Sequence, residues 1–534
     1  MNKVNRTTML LGVVASTLTA LPAFGSERIQ FFFGPFEPTV YVEDLSTFAE
    51  TGEVSERFRR VGNRLNDDQK ENLRSLLNAR IDTSAVAISQ FTYSPVGEQL
   101  LQKAGQVIRS ENNLNGMKAI RAGLIFAAAD SEEGLTLINI LRQIPLDTIQ
   151  VDRVLAQQIL SENQRFFQQR DQVVANLKQV AEQQSGGLLE IFPEAAPQDL
   201  GSYSWEVESI PFQNPGREVT SIADAYYPNL ENPTPGSTPV VLISHGLASD
   251  RKTLAYLAEH LASHGYAVFS LEHAETSAAK FVRFLRGLDE APDPHELLLR
   301  PRDITAILDT LTAQQATDEN LSHLNLDSVG LLGQSFGGYT VLAAGGATIN
   351  RSQLAQTCQS TLADRPTLNL SLLIQCRILE LPADEPLAVA DSRVAAVIAL
   401  NPFTSSIFGQ GGLEQLQVPV MLAAGTNDFI APALPEQIEP FEWLTSEHKD
   451  LVIIENGTHF SLLGGADRSV LPIPDSFIGP DPVQARPQIQ ALGLAFFNRH
   501  LQNETESDIF LSQRYLSEFP TDPFQFSLIE GLPD

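Results

Sequence analysis

The sequence predicts an α/β fold: a mostly parallel sheet with helices on both faces, preceded by a mainly helical N-terminal domain. Three observations carry this. Beyond about residue 200, short runs rich in Val, Ile, Leu and Ala alternate with helical segments, as in sheets whose strands are buried on both faces. Before that point, apolar residues recur at three- and four-residue intervals. Residues able to do chemistry stand just after apolar runs, at the carboxyl ends of strands, where open α/β sheets keep their reactive loops.

Residues 1–25 read as a signal peptide. Lys3 and Arg6 form a basic start, Met9 to Leu21 is mostly apolar, and Ala23-Phe24-Gly25 offers small residues for cleavage. The rival, an uncleaved anchor, is disfavoured because the run falls short of the ~20 residues that a bilayer requires. No cysteine adjoins this site for lipidation, and no later segment reads as a membrane span. The expectation is export to the periplasm or the exterior.

The formal charge of −29 repels phosphate backbones and makes nucleic acid a poor partner. Cys358 and Cys376 are the two cysteines. In an exported chain they are expected to pair as a disulfide, and their surroundings offer no metal-binding pattern.

Residues 26–187 contain two clear helical stretches, "DDQKENLRSLLNAR" and "TIQVDRVLAQQILSENQRFFQQRDQVVANLKQVAEQQ". Asp147 or Thr148 is expected to cap the second, and Val151, Val154, Leu155 and Ile159 to form its buried stripe. This region contains no histidine and no recognisable chemistry, and its partner stays unassigned. Gly and Pro then break the helical period, which marks residues 188–200 as a linker.

Residues 201–502 form the expected catalytic domain. "SWEVESIPF" and "REVTSIADAYYP" read as opening strands, followed by "PVVLISHG", "GYAVFSLEH", "SVGLLGQ", "VAAVIALNP", "VPVMLAAGTND" and "DLVIIENGTH". Helical segments such as "RKTLAYLAEHLASHG" and "RPRDITAILDTLTAQQ" separate most of them. Residues 503–534 remain as a C-terminal extension.

The stretch "LLGQSFGGYT" puts Ser335 between a strand and a helix, with Gly333 and Gly337 flanking it. A sharp turn of this kind lifts a serine hydroxyl into the open at a helix N-terminus. A hydroxyl is a weak nucleophile, so a base must take its proton. Of nine histidines, His260, His264, His323, His448 and His500 lie in or beside helical segments and are expected to face solvent. His295 sits in a polar loop, and His245 and His273 end earlier strands. His459 follows the last strand on a glycine-containing loop and is the candidate base. Asp428, one strand earlier, is the candidate acid that orients it, in the chain order Ser, Asp, His. The backbone N–H groups of Leu247, in the His-Gly turn, and Phe336, next after Ser335, are the candidate oxyanion donors.

These features together resemble the α/β-hydrolase superfamily. Within it, "SHGLASDRKTLAYLAEHLASHGYAVFSLEHAETSA" and the Gly-Gln-Ser-Phe-Gly-Gly elbow resemble platelet-activating-factor acetylhydrolases and dienelactone-hydrolase-like proteins. The resemblance implies cleavage of carboxylic esters, with short or lipid acyl groups in view. The chain departs from it twice. The acetylhydrolases carry their acid one strand earlier, where this chain has Asn401, and dienelactone hydrolases use cysteine where this chain has Ser335. The N-terminal stretch "PFEPTVYVEDLSTFAETGEVS" resembles a domain of unknown function found ahead of hydrolase domains in cyanobacterial proteins.

Residues 347–392 read as an insertion that caps Ser335 and shapes an acyl pocket, or else packs on the core. The expected function is an exported serine esterase working through an acyl-enzyme on a small-molecule or lipid ester, with no metal or organic cofactor implied. The rivals are a peptidase or acyltransferase on the same three residues, and a non-catalytic binding protein on the same scaffold.

Overall fold

Parallel strands buried on both faces organise the larger part of the chain. The computed structural model describes residues 25–32, 39–185, 196–318, 320–364, 369–464 and 478–531. The expected signal peptide, apart from residue 25, and most of the expected linker lie outside the described residues, as do residues 365–368 of the insertion.

Nine strands form one sheet, in the order Gln525–Glu530, Lys449–Glu455, Val420–Gly425, Val394–Leu400, Leu324–Gln334, Thr238–Ser244, Ala267–Leu271, Ser221–Pro228 and Trp205–Phe212. The six from Lys449–Glu455 to Ala267–Leu271 run parallel. The edges are antiparallel, and the last strand comes from the expected C-terminal extension.

Alternation builds two cores. Val240 and Leu242 pack with Leu297, Ile304 and Leu308 on one face. Val241 and Ile243 pack with Leu257, Leu261, Ile489 and Phe496 on the other. Every residue of Val420–Gly425 is buried, as expected where helices cover both faces. All the parallel strands therefore present their carboxyl ends on one rim.

The N-terminal segment combines helices with a small sheet, ordered Thr39–Tyr41, Arg28–Phe32, Thr148–Asp152 and Ile108–Arg109. Asn66 and Gln69 close a capping box on the helix Asp67–Asn78. The expected cap at Asp147 or Thr148 is corrected: Thr148–Asp152 is a strand paired in parallel with Arg28–Phe32. Its β-branched Thr, Ile and Val suit a pleated surface, and the helix starts at Arg153, capped by Asp152. The expected stripe is corrected too. Val154 is exposed, whereas Val174, Leu177 and Ala181, further along the helix Arg153–Gln184, are buried in the core of the large sheet. Lys178 Nζ donates to Glu455 Oε1 (2.9 Å) and Gln525 Oε1 (2.7 Å), tying this helix to that sheet's edge. No helix among the described residues is long and apolar enough to cross a membrane.

Candidate active site

The central strand Leu324–Gln334 ends at Ser335, and the helix Phe336–Gly345 begins directly after it. Ser335 adopts φ 56° and ψ −116°, a conformation that side chains other than glycine rarely hold. Its N–H donates to Leu400 O (2.8 Å), which ties the turn to the next strand. The turn also brings backbone segments too close for side chains. A Cβ on Gly337 would lie 1.9 Å from Ser244 O, and one on Gly333 would lie 2.2 Å from Gly337 O.

The structure brings the three sequence-predicted side chains together. His459 Nε2 lies 2.7 Å from Ser335 Oγ, and His459 Nδ1 lies 2.6 Å from Asp428 Oδ2. With a carboxylate as partner, Nδ1 carries the proton and Nε2 is left to accept from the serine hydroxyl. All three residues are buried. The His459 loop is fixed where it matters: its carbonyl accepts from Gln334 Nε2 (3.1 Å), the residue just before the serine. Tyr256 Oη donates to Leu462 O (2.9 Å) and holds the far side of the same loop.

Asp428 is held from two directions. Its Oδ1 accepts from the backbone N–H groups of Ile430 and Ala431, both at 2.8 Å. Its Oδ2 accepts from Asn401 Nδ2 at 3.0 Å as well as from His459. Sequence reasoning treated Asn401 only as a departure from the family pattern. Its φ of 47° at the end of a strand is the structural mark of its position, and a bare sequence does not print φ.

The His-Gly turn stands beside the nucleophile, since a Cβ on Gly246 would lie 3.4 Å from Ser335 Cβ. Among the described residues, neither the Leu247 N–H nor the Phe336 N–H donates to a protein acceptor.

Beneath this turn lies a buried polar cluster that sequence reasoning missed. His273 Nδ1–H donates to Asp303 Oδ2 (2.7 Å), and His273 Nε2 accepts from the Ser244 hydroxyl (2.8 Å). The residue types repeat those of the site, but His273, Asp303 and Ser244 are fully enclosed. Burial, followed by the nearby Arg300 charge, holds the His245 and His273 imidazoles well below their usual range and hence neutral. His245 Nε2 accepts from the His273 N–H (3.0 Å), so His245 is locked under its turn. Arg300 donates to His245 O and Thr276 Oγ1, and its guanidinium lies 4.5 Å from the centre of the Phe336 ring. One cation thus braces both strand ends that carry the candidate oxyanion donors. Arg217 grips Asp303 and Glu296 in paired hydrogen bonds of 2.7–2.9 Å, completing the cluster.

The other histidines are elsewhere. His260 is buried, not solvent-facing as expected. Its Nε2 lies 2.9 Å from Pro197 O and 3.1 Å from Asp199 O, where it anchors the chain entering the sheet. Cys358 and Cys376 are joined as a disulfide.

Two hydrolase family models match this chain. The first, described as an alpha/beta hydrolase of unknown function (DUF1400), matches residues 25–152. The second, platelet-activating factor acetylhydrolase, isoform II, matches residues 216–306. The acetylhydrolase match covers the His-Gly turn, His273, Arg300 and Asp303, and it ends before Ser335. No curated protein matches the chain. The hydrolase matches and the mixed sheet with its many helices fit an α/β fold.

In this hydrolase-like chain an apolar cavity of about 240 Å³ adjoins the site, with Leu247 and Phe336 in its wall. Leu373 and Ile374, from the expected insertion that carries the disulfide, also line it.

Proposed function

We propose that this protein is a serine hydrolase that cleaves carboxylic esters. The observation that carries this reading is the unbroken line from Ser335 Oγ through His459 to Asp428, at 2.7 and 2.6 Å. Ser335 Oγ attacks the ester carbonyl as His459 Nε2 takes its proton, while Asp428 holds the ring and stabilises the imidazolium. The carbonyl oxygen becomes negative and is met by the N–H groups of Leu247 and Phe336; a single donor of this kind typically supplies ~2.7–4 kcal/mol. His459 then passes its proton to the departing alcohol, leaving an acyl group on Ser335. Water repeats the cycle: His459 takes a proton from it, its oxygen attacks the acyl carbon, and Ser335 Oγ leaves with that proton.

A fluorophosphonate probe and p-nitrophenyl esters test this reading. The mature chain is expected to be labelled and to hydrolyse the esters, and Ser335→Ala is expected to do neither, with a loss on the order of 10⁴-fold or more. Full turnover by that variant sinks the proposal. Ester, amide and alcohol-acceptor turnover, measured side by side, separates esterase from peptidase and acyltransferase.

The same reading includes export after removal of residues 1–25. The Cys358–Cys376 bridge supports it, since disulfides persist in oxidising compartments. Recovery of the full-length chain from the cytosolic fraction counts against it.

A further inference from the structure

Facing Leu247 and Phe336 across the apolar cavity are four residues of the N-terminal segment: Phe91, Pro95, Val96 and Leu100. They come from one corner between two helices. Ser94 ends the helix Ala85–Tyr93 and caps the helix Pro95–Val107. Its hydroxyl donates to Phe91 O (2.6 Å) and accepts from the Gly97 N–H (3.1 Å), which fixes the bend. Phe91 lies in the last turn of the first helix, while Val96 and Leu100 lie one turn apart on the second and share a face. The corner is seated against the hydrolase-like part of the chain. A Cβ on Gly287, just past the helix Ala278–Leu285, would lie 3.1 Å from Gln90 Nε2 and 3.4 Å from Val86.

We infer that this corner is one wall of a fatty-acyl binding site, so that the N-terminal segment sets which acyl chains Ser335 accepts. The inference rests on the esterase reading and adds a substrate class to it. Two observations carry it. The cavity wall includes the side chains of Leu247 and Phe336, the two residues proposed to meet the carbonyl oxygen, so a substituent of that carbonyl lies within reach of it. Among the described residues, the polar side chains in its lining are Ser94, Asp293 and Arg377, and each has a partner within the chain. Ser94 is committed as above, Asp293 accepts from the His295 N–H (2.8 Å), and Arg377 donates to Pro292 O and Glu380. A sugar or peptide substituent would bury its own polar groups there without partners, which is costly. A hydrocarbon chain has none to satisfy.

The acyl half suits this space better than the alcohol half. The acyl group stays on Ser335 through both steps, whereas the alcohol must leave before water attacks. Each methylene entering such a site is worth about fourfold in binding, so chain length is the natural variable.

The test uses two variants of the full chain, Val96→Trp to narrow the cavity and Phe91→Ala to widen it. Two ester series are compared: p-nitrophenyl esters from acetate to palmitate, and acetates of alcohols of rising length. For Val96→Trp, kcat/KM on the octanoate is expected to fall about tenfold or more, with the acetate within about twofold of wild type. For Phe91→Ala the preferred acyl length is expected to move upward. Acyl-length profiles unchanged in both variants overturn the inference. So does an equal loss on every ester, or a response confined to the alcohol series. Fluorophosphonate labelling of each variant reports an assembled site independently of acyl length. Retained activity in Ser335→Ala is a separate result that removes the esterase reading itself.

Discussion

Asn401 Nδ2 lies 3.0 Å from Asp428 Oδ2, so Asn401, at the end of one strand, steadies the candidate acid that follows the next strand. The amide neutralises no charge; it occupies one lone pair and leaves the other to His459. Asp428→Asn is expected to lower kcat by about 10³–10⁴-fold, because an amide allows the wrong imidazole tautomer. Asn401→Asp sets two carboxylates against each other, raising the proton affinity of the pair and shifting the pH–rate profile upward. Combining Asn401→Asp with Asp428→Asn is expected to recover part of the loss. Steady-state kinetics against pH measures all three, and a double variant no better than Asp428→Asn alone refutes the interchange.

Gly337→Ala is expected to abolish labelling of Ser335. The added Cβ would meet the Ser244 carbonyl at 1.9 Å, and backbone cannot swing aside as a flexible side chain does. Probe labelling and circular dichroism together separate a displaced elbow from an unfolded chain.

Asp303→Ala leaves the buried Arg217 guanidinium without one of its two carboxylate partners and removes the acceptor of His273. Stripping one partner from a buried pair typically costs about 3–5 kcal/mol. Urea unfolding is expected to register a loss of that order, with kcat reduced on all esters alike. A loss below about 1 kcal/mol contradicts a bracing role for this cluster.

Asp450 stands directly across the antiparallel pair from Glu530, with Asp508 nearby. Burial, then these two like charges, pushes its carboxyl up to about 7 from an ordinary 3.8. The folded chain thus keeps a proton that the unfolded chain releases. Its contribution to stability is largest below about pH 4, falls as pH rises toward 7 and is flat above that. Asp450→Asn is expected to raise the melting temperature at pH 8, with the gain shrinking toward pH 4. A gain that is constant across this range refutes the assignment.

Cys358→Ser combined with Cys376→Ser opens a loop closed across a sequence separation of 18 residues. The loop-entropy model puts the loss at about 3 kcal/mol. Denaturant unfolding with and without reductant is the measurement, and reductant is expected to affect wild type alone.

The sequence by itself determined the alternation of buried strands and helices, and with it the rim where reactive groups collect. Ser335, Asp428 and His459 were legible because each follows its own apolar strand in an order that this architecture reuses. Periodicity read the end of the helix Arg153–Gln184 but misread its start. Thr148, Ile149 and Val151 fit either period, and only the neighbouring Arg28–Phe32 made them a strand. His260 shows the same limit, since its burial depends on a chain segment some sixty residues away.

Tertiary structure alone decided the rest. Asn401 meets Asp428 across 27 residues, and His273 meets Asp303 across 30, so no local pattern announces either pair. The cavity wall from Phe91 to Leu100 is the extreme case: those side chains look like ordinary helix residues until the chain folds them opposite Leu247 and Phe336. Local patterns encode which face a residue turns inward, and the crossing of distant segments decides what it meets there.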